Sequence, residues 1–421
     1  MEDKSLIKDA GKMVGSGVFV QVVAFLLIIL LGRLYNEEQM GTLGLFLAWA
    51  GLLSITSGGR YEHAIVVSNN EDDASTLFSL SILINGGCFV ILLPICLGIN
   101  FLLPSTHYSR MQGYILLLPL FVLLQGIVNS LCMLRLYQKH YNKLSLSQAL
   151  QGLSNNLLKV LLGLRMATVA SLIGASFMAL ILGGIPLLRF QSNRRALTLD
   201  KGRLKQAATR YANFPRYGIL QALIDNLLGS LFILMLPLSY SIKEVGILTM
   251  AITLARRPLQ IIGDNLSRVY YQRLSEKCNQ RQELLPMIKK FAIRWICLSI
   301  PVFGILALFM EKLVVAFVGP LWGKTGFVIV AMLPMLIPNF LNMIFNIIPD
   351  VLGKQKINMN IQIGMIIFES IIIGLGLWLM SFDEIIPFYY LFVCIEQSVF
   401  FIILIRLARE HDTTIRQHHI S

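Results

Sequence analysis

The sequence predicts an all-α polytopic membrane protein with about twelve transmembrane helices arranged in two six-helix bundles. Of its 421 residues, 56% are hydrophobic and 14% are charged, and the mean hydropathy is +0.69. Soluble domains carry about 25% charged residues, so the composition excludes an ordinary soluble fold. Apolar windows of roughly 20 residues, the length that crosses a bilayer as a helix, recur along the chain.

Six apolar windows precede the longest polar segment, and six follow it. The first six lie at 13–32, 41–58, 76–99, 113–134, 146–164 and 168–188. The second six lie at 217–239, 245–267, 291–310, 326–349, 358–380 and 385–405. The first window has spanning length and no small-residue cleavage site, so we interpret it as a retained helix.

The polar segment Arg189–Arg216 fixes the expected topology, because it carries eight basic residues and one acid, Asp200. Lys and Arg in short loops resist translocation, so this segment is expected in the cytoplasm. In the resulting layout 27 basic residues lie on the cytoplasmic side and 6 on the outer side. Both termini are therefore predicted to be cytoplasmic. The expected domains are an N-terminal bundle (1–190), a basic linker (191–216) and a C-terminal bundle with a short tail (217–421).

Composition also limits the classes of partner and chemistry. The net charge of +13 follows the loop asymmetry, so it indicates membrane orientation and not nucleic-acid binding. The six cysteines have no paired spacing, and the chain contains no nucleotide-binding signature. We therefore expect no disulfide, metal or cofactor. The outer loops are short and carry no catalytic constellation, so no catalytic residue is assigned and the protein is not expected to be an enzyme.

Polar and charged side chains recur at helical spacing inside the predicted spans. A charge near the bilayer centre costs roughly 2.5–3.5 kcal/mol, so such side chains usually face protein or water. The fifth span carries one polar face formed by Gln148, Gln151, Asn155 and Lys159. The other positions are Gln125, Asn129, Asp225, Arg256, Arg257, Gln260, Asp264, Asn339, Asn342, Asn346, Glu369, Glu396 and, at the cytoplasmic end of the second span, Arg60.

Two interpretations of these polar positions remain open. Asn and Gln often form interhelical hydrogen bonds in membrane bundles, and this interpretation is as good as a binding role for the amides alone. The buried charges favour a water-filled, partly cationic cavity over structural ion pairs. Arg60, which lies near Glu62 and His63, has an interfacial ion pair as its default interpretation. The carboxylates Asp225, Asp264, Glu369 and Glu396 are candidates for ion coupling, with pairing to a basic neighbour as the alternative.

Four segments, in order along the chain, resemble Wzx-type polysaccharide flippases. They are Gly59–Val67 (GRYEHAIVV), Gln138–Gly152 (QKHYNKLSLSQALQG), Tyr211–Arg273 with its NFPRYG and GILTMAITLARRPLQIIGDNLSRVYYQR sequences, and Phe317–Gly326 (FVGPLWGKTG). Taken together they are similar to the O-antigen and capsule branch of the multidrug/oligosaccharidyl-lipid/polysaccharide exporter superfamily.

The resemblance implies a fold like that of multidrug and toxic compound extrusion (MATE) transporters, working by alternating access with ion-gradient coupling. It implies transport of undecaprenyl-pyrophosphate-linked oligosaccharide repeat units of O-antigen or capsule. Transport would run from the cytoplasmic to the periplasmic leaflet of the bacterial inner membrane. A polysaccharide polymerase and a chain-length regulator are the partners that it implies, besides membrane lipid.

Physical chemistry suggests roles for the polar positions in such a transporter. Lys159, Arg256, Arg257 and Arg60 would offset the charge of a pyrophosphate headgroup. Amides both donate and accept hydrogen bonds, as sugar hydroxyls do. The sugar-binding candidates are Gln125, Asn129, Gln148, Gln151, Asn155, Gln260, Asn339, Asn342 and Asn346.

Three other functions are alternatives. An ion-coupled multidrug exporter of the same superfamily should have an acidic or aromatic cavity, and the basic residues here disfavour it. A flippase for the lipid-linked peptidoglycan precursor is chemically close and stays open. A polysaccharide polymerase is less favoured, because it needs catalytic groups on a sizeable outer loop.

Overall fold

The chain forms an all-helical structure, in agreement with the predicted fold class. The computed structural model describes residue 23 and residues 26–102, 108–188 and 200–420. Strands are absent from these residues. The helices that precede the linker are α1 (Glu37–Ser57), α2 (Tyr61–Val66), α3 (Glu71–Leu102), α4 (Leu118–Tyr137), α5 (Tyr141–Arg165) and α6 (Val169–Leu188). The later helices are α7 (Lys201–Arg210), α8 (Ile219–Met235), α9 (Ile242–Asn279), α10 (Leu285–Phe317), α11 (Gly323–Phe345), α12 (Ile348–Val351), α13 (Gln355–Leu379) and α14 (Phe382–Ile420).

Ten helical segments in the described residues are long and apolar enough to cross a membrane. Helix α5 is not among them, because its polar face lowers its hydropathy, although its 25 residues exceed the roughly 20 that span a bilayer. The first predicted span, residues 13–32, lies mostly outside the described residues, as do residues 191–199 of the predicted linker. The chain is therefore a multi-pass membrane protein, and the cytoplasmic location of its termini remains a prediction.

Residue contacts divide the chain into two compact units, Met1–Gly246 and Ile247–Ser421. Helix α8, which corresponds to the seventh predicted span, falls in the first unit. Helix α9 begins in the first unit and continues into the second. The predicted bundle boundaries and these units thus differ in where they assign residues 217–246.

A close crossing between two glycines holds the start of α9 against α1 within the first unit. A Cβ on Gly246 would lie 1.7 Å from the carbonyl oxygen of Glu37, and one on Gly41 would lie 2.1 Å from that of Ile242. Both distances are far inside van der Waals contact, so only glycine permits this approach. The ion pair between Lys243 Nζ and the Glu37 carboxylate, at 3.1 Å, lies at the same crossing.

Aromatic side chains link helices inside each unit. In the first unit, Phe121 of α4 makes edge contacts with Phe46 of α1 at 5.4 Å and with Phe177 of α6 at 5.0 Å between ring centroids. In the second unit, Phe345 of α11 contacts Tyr270 of α9 at 5.3 Å. Such edge-to-face pairs add about 0.5–1.5 kcal/mol each beyond apolar burial and fix the relative rotation of the helices.

Several prolines lie within helices and others lie at their ends. Pro94, Pro301 and Pro334 are inside α3, α10 and α11. Each lacks an amide hydrogen, so one helical hydrogen bond is lost there, as expected where a helix bends. Pro119 and Pro237 lie in the first turns of α4 and of a short 3₁₀ helix, Leu236–Leu238, where a proline is well tolerated.

Residues Lys201–Arg210 of the basic linker form helix α7, which packs within the first unit. Asp200 caps its N-terminus by accepting a hydrogen bond from the Gly202 amide at 2.8 Å. Ala207 is buried in an apolar cluster that includes Ala64 and Ile65 of α2. The Tyr61 hydroxyl donates to the Ala208 carbonyl at 3.1 Å. The linker helix is thereby attached to the short helix α2, whose residues also border the candidate site.

Candidate substrate cavity and intramembrane charged cluster

The first unit contains a polar cavity of about 380 Å³. This volume lies within the roughly 300–1,000 Å³ typical of small-ligand sites. Helices α1, α2, α4, α5 and α6 contribute to its wall, together with the turn between α1 and α2. The polar side chains that line it are Ser54, Arg60, Glu62, Gln125, Asn129, Gln151, Asn155 and Ser176.

Four of the predicted sugar-binding amides converge on this cavity. Gln125 and Asn129 come from α4, one helical turn apart, and Gln151 and Asn155 come from α5 with the same spacing. Asn155 Oδ1 accepts a hydrogen bond from the Ser176 hydroxyl at 3.3 Å. The cavity therefore presents both donors and acceptors from two neighbouring helices, which suits a polyhydroxylated ligand.

The other two members of the α5 polar face lie elsewhere. Gln148 is exposed. Lys159 is only 4% exposed and does not line the cavity. Its backbone carbonyl accepts a hydrogen bond from the Tyr35 hydroxyl at 2.8 Å. The headgroup role predicted for Lys159 therefore has no support from the cavity geometry.

Arg60 is the basic residue of the cavity, and its position depends on an unusual turn. The chain leaves α1 through Gly58 and enters a left-handed conformation at Gly59 (φ +60°) and at Arg60 (φ +62°). Left-handed backbone is uncommon for a residue with a side chain and indicates a local constraint. Arg60 donates from Nε to the Gly218 carbonyl at 3.3 Å, and its Nη1 lies 2.8 Å from His63 Nε2.

The Glu62 carboxyl group lies beside this arginine and is 5% exposed. Its Oε2 has no hydrogen-bond partner within the described chain. His63 Nε2 lies 3.9 Å from Oε1, which is beyond hydrogen-bond range. Burial raises the pKa of Glu62 above its ordinary value of 4.5, and its backbone hydrogen bond and the Arg60 charge reduce this rise.

A second polar cluster lies within the second unit. It contains Arg256 of α9, Glu369 of α13, and Tyr389, Tyr390 and Glu396 of α14. Glu369 is 2% exposed, and the Tyr389 hydroxyl donates to its Oε1 at 3.5 Å. Arg256 is close enough to interact electrostatically with Glu369 and with both tyrosines.

The carboxyl groups of Glu369 and Glu396 are neighbours in this cluster. Neither oxygen of Glu396 finds a donor among the described residues, and neither does Oε2 of Glu369. Because an ionised carboxylate only accepts hydrogen bonds, the two groups can bond to each other only when one carries a proton. The cluster is therefore chemically suited to hold a proton between two acids.

Two amides outside the predicted site residues extend this cluster along α13. Asn358 Oδ1 and Gln362 Oε1 are buried and also lack a partner within the described residues. Asn358, Gln362 and Glu369 are spaced i, i+4 and i+11, which places all three on one face of the helix. This spacing was visible in the sequence and could have identified them.

The remaining predicted positions are distributed differently. Asn342 is buried, and its Nδ2 donates to the backbone carbonyl and to Oε1 of Gln397, both at 2.8 Å. It thus joins α11 to α14, as the structural interpretation of the amides proposed. Asn339 is half-buried. Exposed side chains are found at Asp225, Arg257, Gln260, Asp264 and Asn346.

The described residues contain no group of three or more His, Cys, Asp or Glu side chains that could hold a metal ion.

The fold is that of a MATE-type membrane transporter. Over 95% of this chain and 96% of the other, it is similar to a multidrug resistance MATE family transporter of the MOP superfamily in an inward-facing conformation, with a TM-score of 0.68 and 12% identity. It is also similar to a MATE in complex with MaL6, with a TM-score of 0.59 and 12% identity over 96% and 95% of the chains. The eukaryotic MATE transporter AtDTX14 matches with a TM-score of 0.50 and 13% identity over 98% and 99%.

The family follows from the sequence. Residues 30–325 match the family described as polysaccharide biosynthesis protein, and the chain belongs to that family. No curated protein matches the chain. These findings agree with the resemblance: the family is one of polysaccharide biosynthesis, and the fold is MATE-like.

Proposed function

We propose that this membrane transporter moves undecaprenyl-pyrophosphate-linked oligosaccharide repeat units of O-antigen or capsule. Transport runs from the cytoplasmic to the periplasmic leaflet of a bacterial inner membrane. The family supports a role in polysaccharide biosynthesis, and the fold supports transport by alternating access.

The observation that carries the proposal is the composition of the first-unit cavity. Its wall combines amides and hydroxyls on α1, α4, α5 and α6 with the guanidinium of Arg60. Amides and hydroxyls match sugar hydroxyls, which donate and accept hydrogen bonds. Arginine forms bidentate, charge-assisted hydrogen bonds with phosphate oxygens. A phosphorylated sugar needs both kinds of group in one cavity.

Ion coupling is assigned to the second-unit cluster. The carboxyl groups of Glu369 and Glu396 are neighbours with buried oxygens that need a proton between them, and an intramembrane carboxylate is costly unless it has a function. In this proposal the pair takes up and releases a proton as the transporter changes conformation. Asp225 and Asp264, which are exposed, are secondary candidates for the same role.

The test is deletion of the gene, followed by assay of the leaflet that holds lipid-linked oligosaccharide and of the surface polysaccharide. The proposal predicts single repeat units on the cytoplasmic face and loss of surface polymer. Single repeat units that reach the periplasmic face and stay unpolymerised would instead indicate a polymerase. Loss of viability would indicate the peptidoglycan precursor flippase, and intact surface polymer with increased drug sensitivity would indicate the multidrug antiporter.

A further inference from the structure

Glu62 combines three properties that a structural carboxylate rarely has together. It is 5% exposed, it lines the first-unit cavity, and its Oε2 has no donor within the described chain. A buried acceptor left without a hydrogen bond costs free energy, more so when it is charged. A ligand that brings a donor into the cavity would remove this cost.

The surroundings of Glu62 favour a neutral donor over a cation. Arg60 shares the cavity, and its positive charge would repel a bound cation. The other polar groups of the cavity wall are neutral amides and serine hydroxyls. They add no negative charge that would hold a cation beside an arginine. Sugar hydroxyls are neutral donors, and the neighbouring amides on α4 and α5 accept or donate to the remaining hydroxyls.

We infer that Glu62 is a specificity-determining residue whose carboxylate accepts hydrogen bonds from sugar hydroxyls of the transported repeat unit. This inference rests on the proposed function. It adds that Glu62 recognises the sugars of the substrate and not its lipid headgroup. A site that hydrogen-bonds a substrate hydroxyl discriminates strongly against a ligand lacking it, because its buried acceptor is then left unpaired.

Glu62→Gln is the informative substitution, because it keeps the size of the side chain and removes the charge. A neutral amide is cheaper to bury than a carboxylate, so this variant should fold at least as well as the native protein. Glu71→Gln is the matched control: Glu71 is exposed in the first turn of α3 and does not line the cavity. Glu62→Asp, which keeps the charge but shortens its reach, is the second variant.

The experiment measures the increase in unfolding temperature of the purified full-length protein on addition of two probes. One probe is the lipid-linked oligosaccharide extracted from the deletion strain, and the other is undecaprenyl pyrophosphate without sugars. Glu62→Gln should bind the glycosylated probe about 10-fold or more weakly than the native protein, as expected for loss of a charge-assisted hydrogen bond. It should bind the bare lipid equally well, the Glu71→Gln control should match the native protein with both probes, and Glu62→Asp should weaken only the binding of the glycosylated probe.

The alternative results are separable. Equal weakening for both probes would assign Glu62 to the headgroup or to the fold and would overturn the inference. Unchanged binding of the glycosylated probe by Glu62→Gln would also overturn it, while leaving the proposed function intact. If the native protein bound neither probe, the proposed function itself would fail.

Discussion

The Arg60 guanidinium donates from Nη1 to Nε2 of His63 at 2.8 Å. A guanidinium has no acceptor, so Nε2 must accept and the imidazole must be neutral with its proton on Nδ1. Burial and the Arg60 charge agree with this assignment, because both lower the pKa of His63 below its ordinary value of 6.5. His63 and the Gly218 carbonyl therefore orient Arg60 at the wall of the cavity.

Arg60→Ala should lower transport of lipid-linked oligosaccharide about 10-fold or more, because the cavity loses its charge-assisted donor to phosphate. Arg60→Lys should restore part of the activity, since lysine keeps the charge but not the bidentate geometry. The leaflet assay in a complemented deletion strain measures both. Arg203→Ala, which removes an exposed basic residue of α7, is the control. Native transport by Arg60→Ala at native protein level would remove Arg60 from the mechanism.

Glu62 predicts how the stability of the protein depends on pH. Its pKa is raised in the folded protein, so the folded state binds more protons than the unfolded state above pH 4.5. Stability is therefore lost as pH rises from the unfolded pKa through the folded pKa. Glu62→Gln should be more stable than the native protein at neutral pH, and the difference should shrink toward pH 4.5. Thermal unfolding between pH 4.5 and 8 measures this, and a variant less stable than the native protein at pH 7 would contradict the account.

His63 predicts the opposite dependence on pH. Its pKa is lowered in the folded protein, so the unfolded state binds more protons as pH falls below 6.5. Stability is therefore lost as pH falls through this range. His63→Gln cannot be protonated and should reduce the acid-induced loss. The same series of thermal unfolding measurements tests this prediction. If the variant loses as much stability at acidic pH as the native protein, His63 is not the group that causes the loss.

Asn342 and Gln151 separate the two interpretations of the intramembrane amides. Asn342→Ala removes the hydrogen bonds to Gln397 and should lower the free energy of unfolding by about 0.6–2 kcal/mol, the range for interhelical hydrogen bonds in membranes. Transport per folded molecule should stay near native. Gln151→Ala should instead lower transport with little change in stability, because Gln151 lines the cavity. Unfolding and transport measured on both variants check these two predictions. Loss of transport in Asn342→Ala together with loss of stability in Gln151→Ala would show that the two roles are the other way round.

Glu369 and Glu396 are predicted to act as one unit. Replacing either with Gln removes the shared proton, so each single variant and the double variant should lose ion-coupled transport to a similar extent. Unfolding temperatures should not fall, because the neutral amide reduces the cost of a buried charge. The measurement is transport into vesicles with and without an imposed proton gradient. Independent, additive losses would contradict the shared site.

Much of the fold was predictable, because apolar length and the distribution of Lys and Arg are local properties of the sequence. The polar face of α5 was also predictable, since it depends only on helical spacing. The depth of the cavity along that face was not. Gln151 and Asn155 line the cavity, whereas Gln148 and Lys159, one turn beyond on either side, do not. Spacing defines the face of a helix, but the neighbouring helices define where the cavity ends.

Contacts between distant segments could not be read from the sequence. Glu369 and Glu396 lie on different helices, so their adjacency and the nearby Arg256 depend on how α9, α13 and α14 pack. Asn342 belongs to a helical pattern of polar residues like that of the cavity amides. Only its hydrogen bond to Gln397 shows that it joins two helices. Glu62 was interpreted as part of an interfacial ion pair, and its burial in the cavity wall required the turn at Arg60.

Reconstitution tests the central claim most directly. Purified protein in phospholipid vesicles, loaded with lipid-linked oligosaccharide extracted from the deletion strain, should move it between leaflets, as measured by its accessibility to an added glycan-modifying enzyme. The account predicts rapid exposure with the native protein, exposure about 10-fold or more slower with Arg60→Ala, and native rates with Arg203→Ala. Equal exposure in protein-free vesicles and in vesicles with native protein would contradict the assignment as a flippase for this lipid.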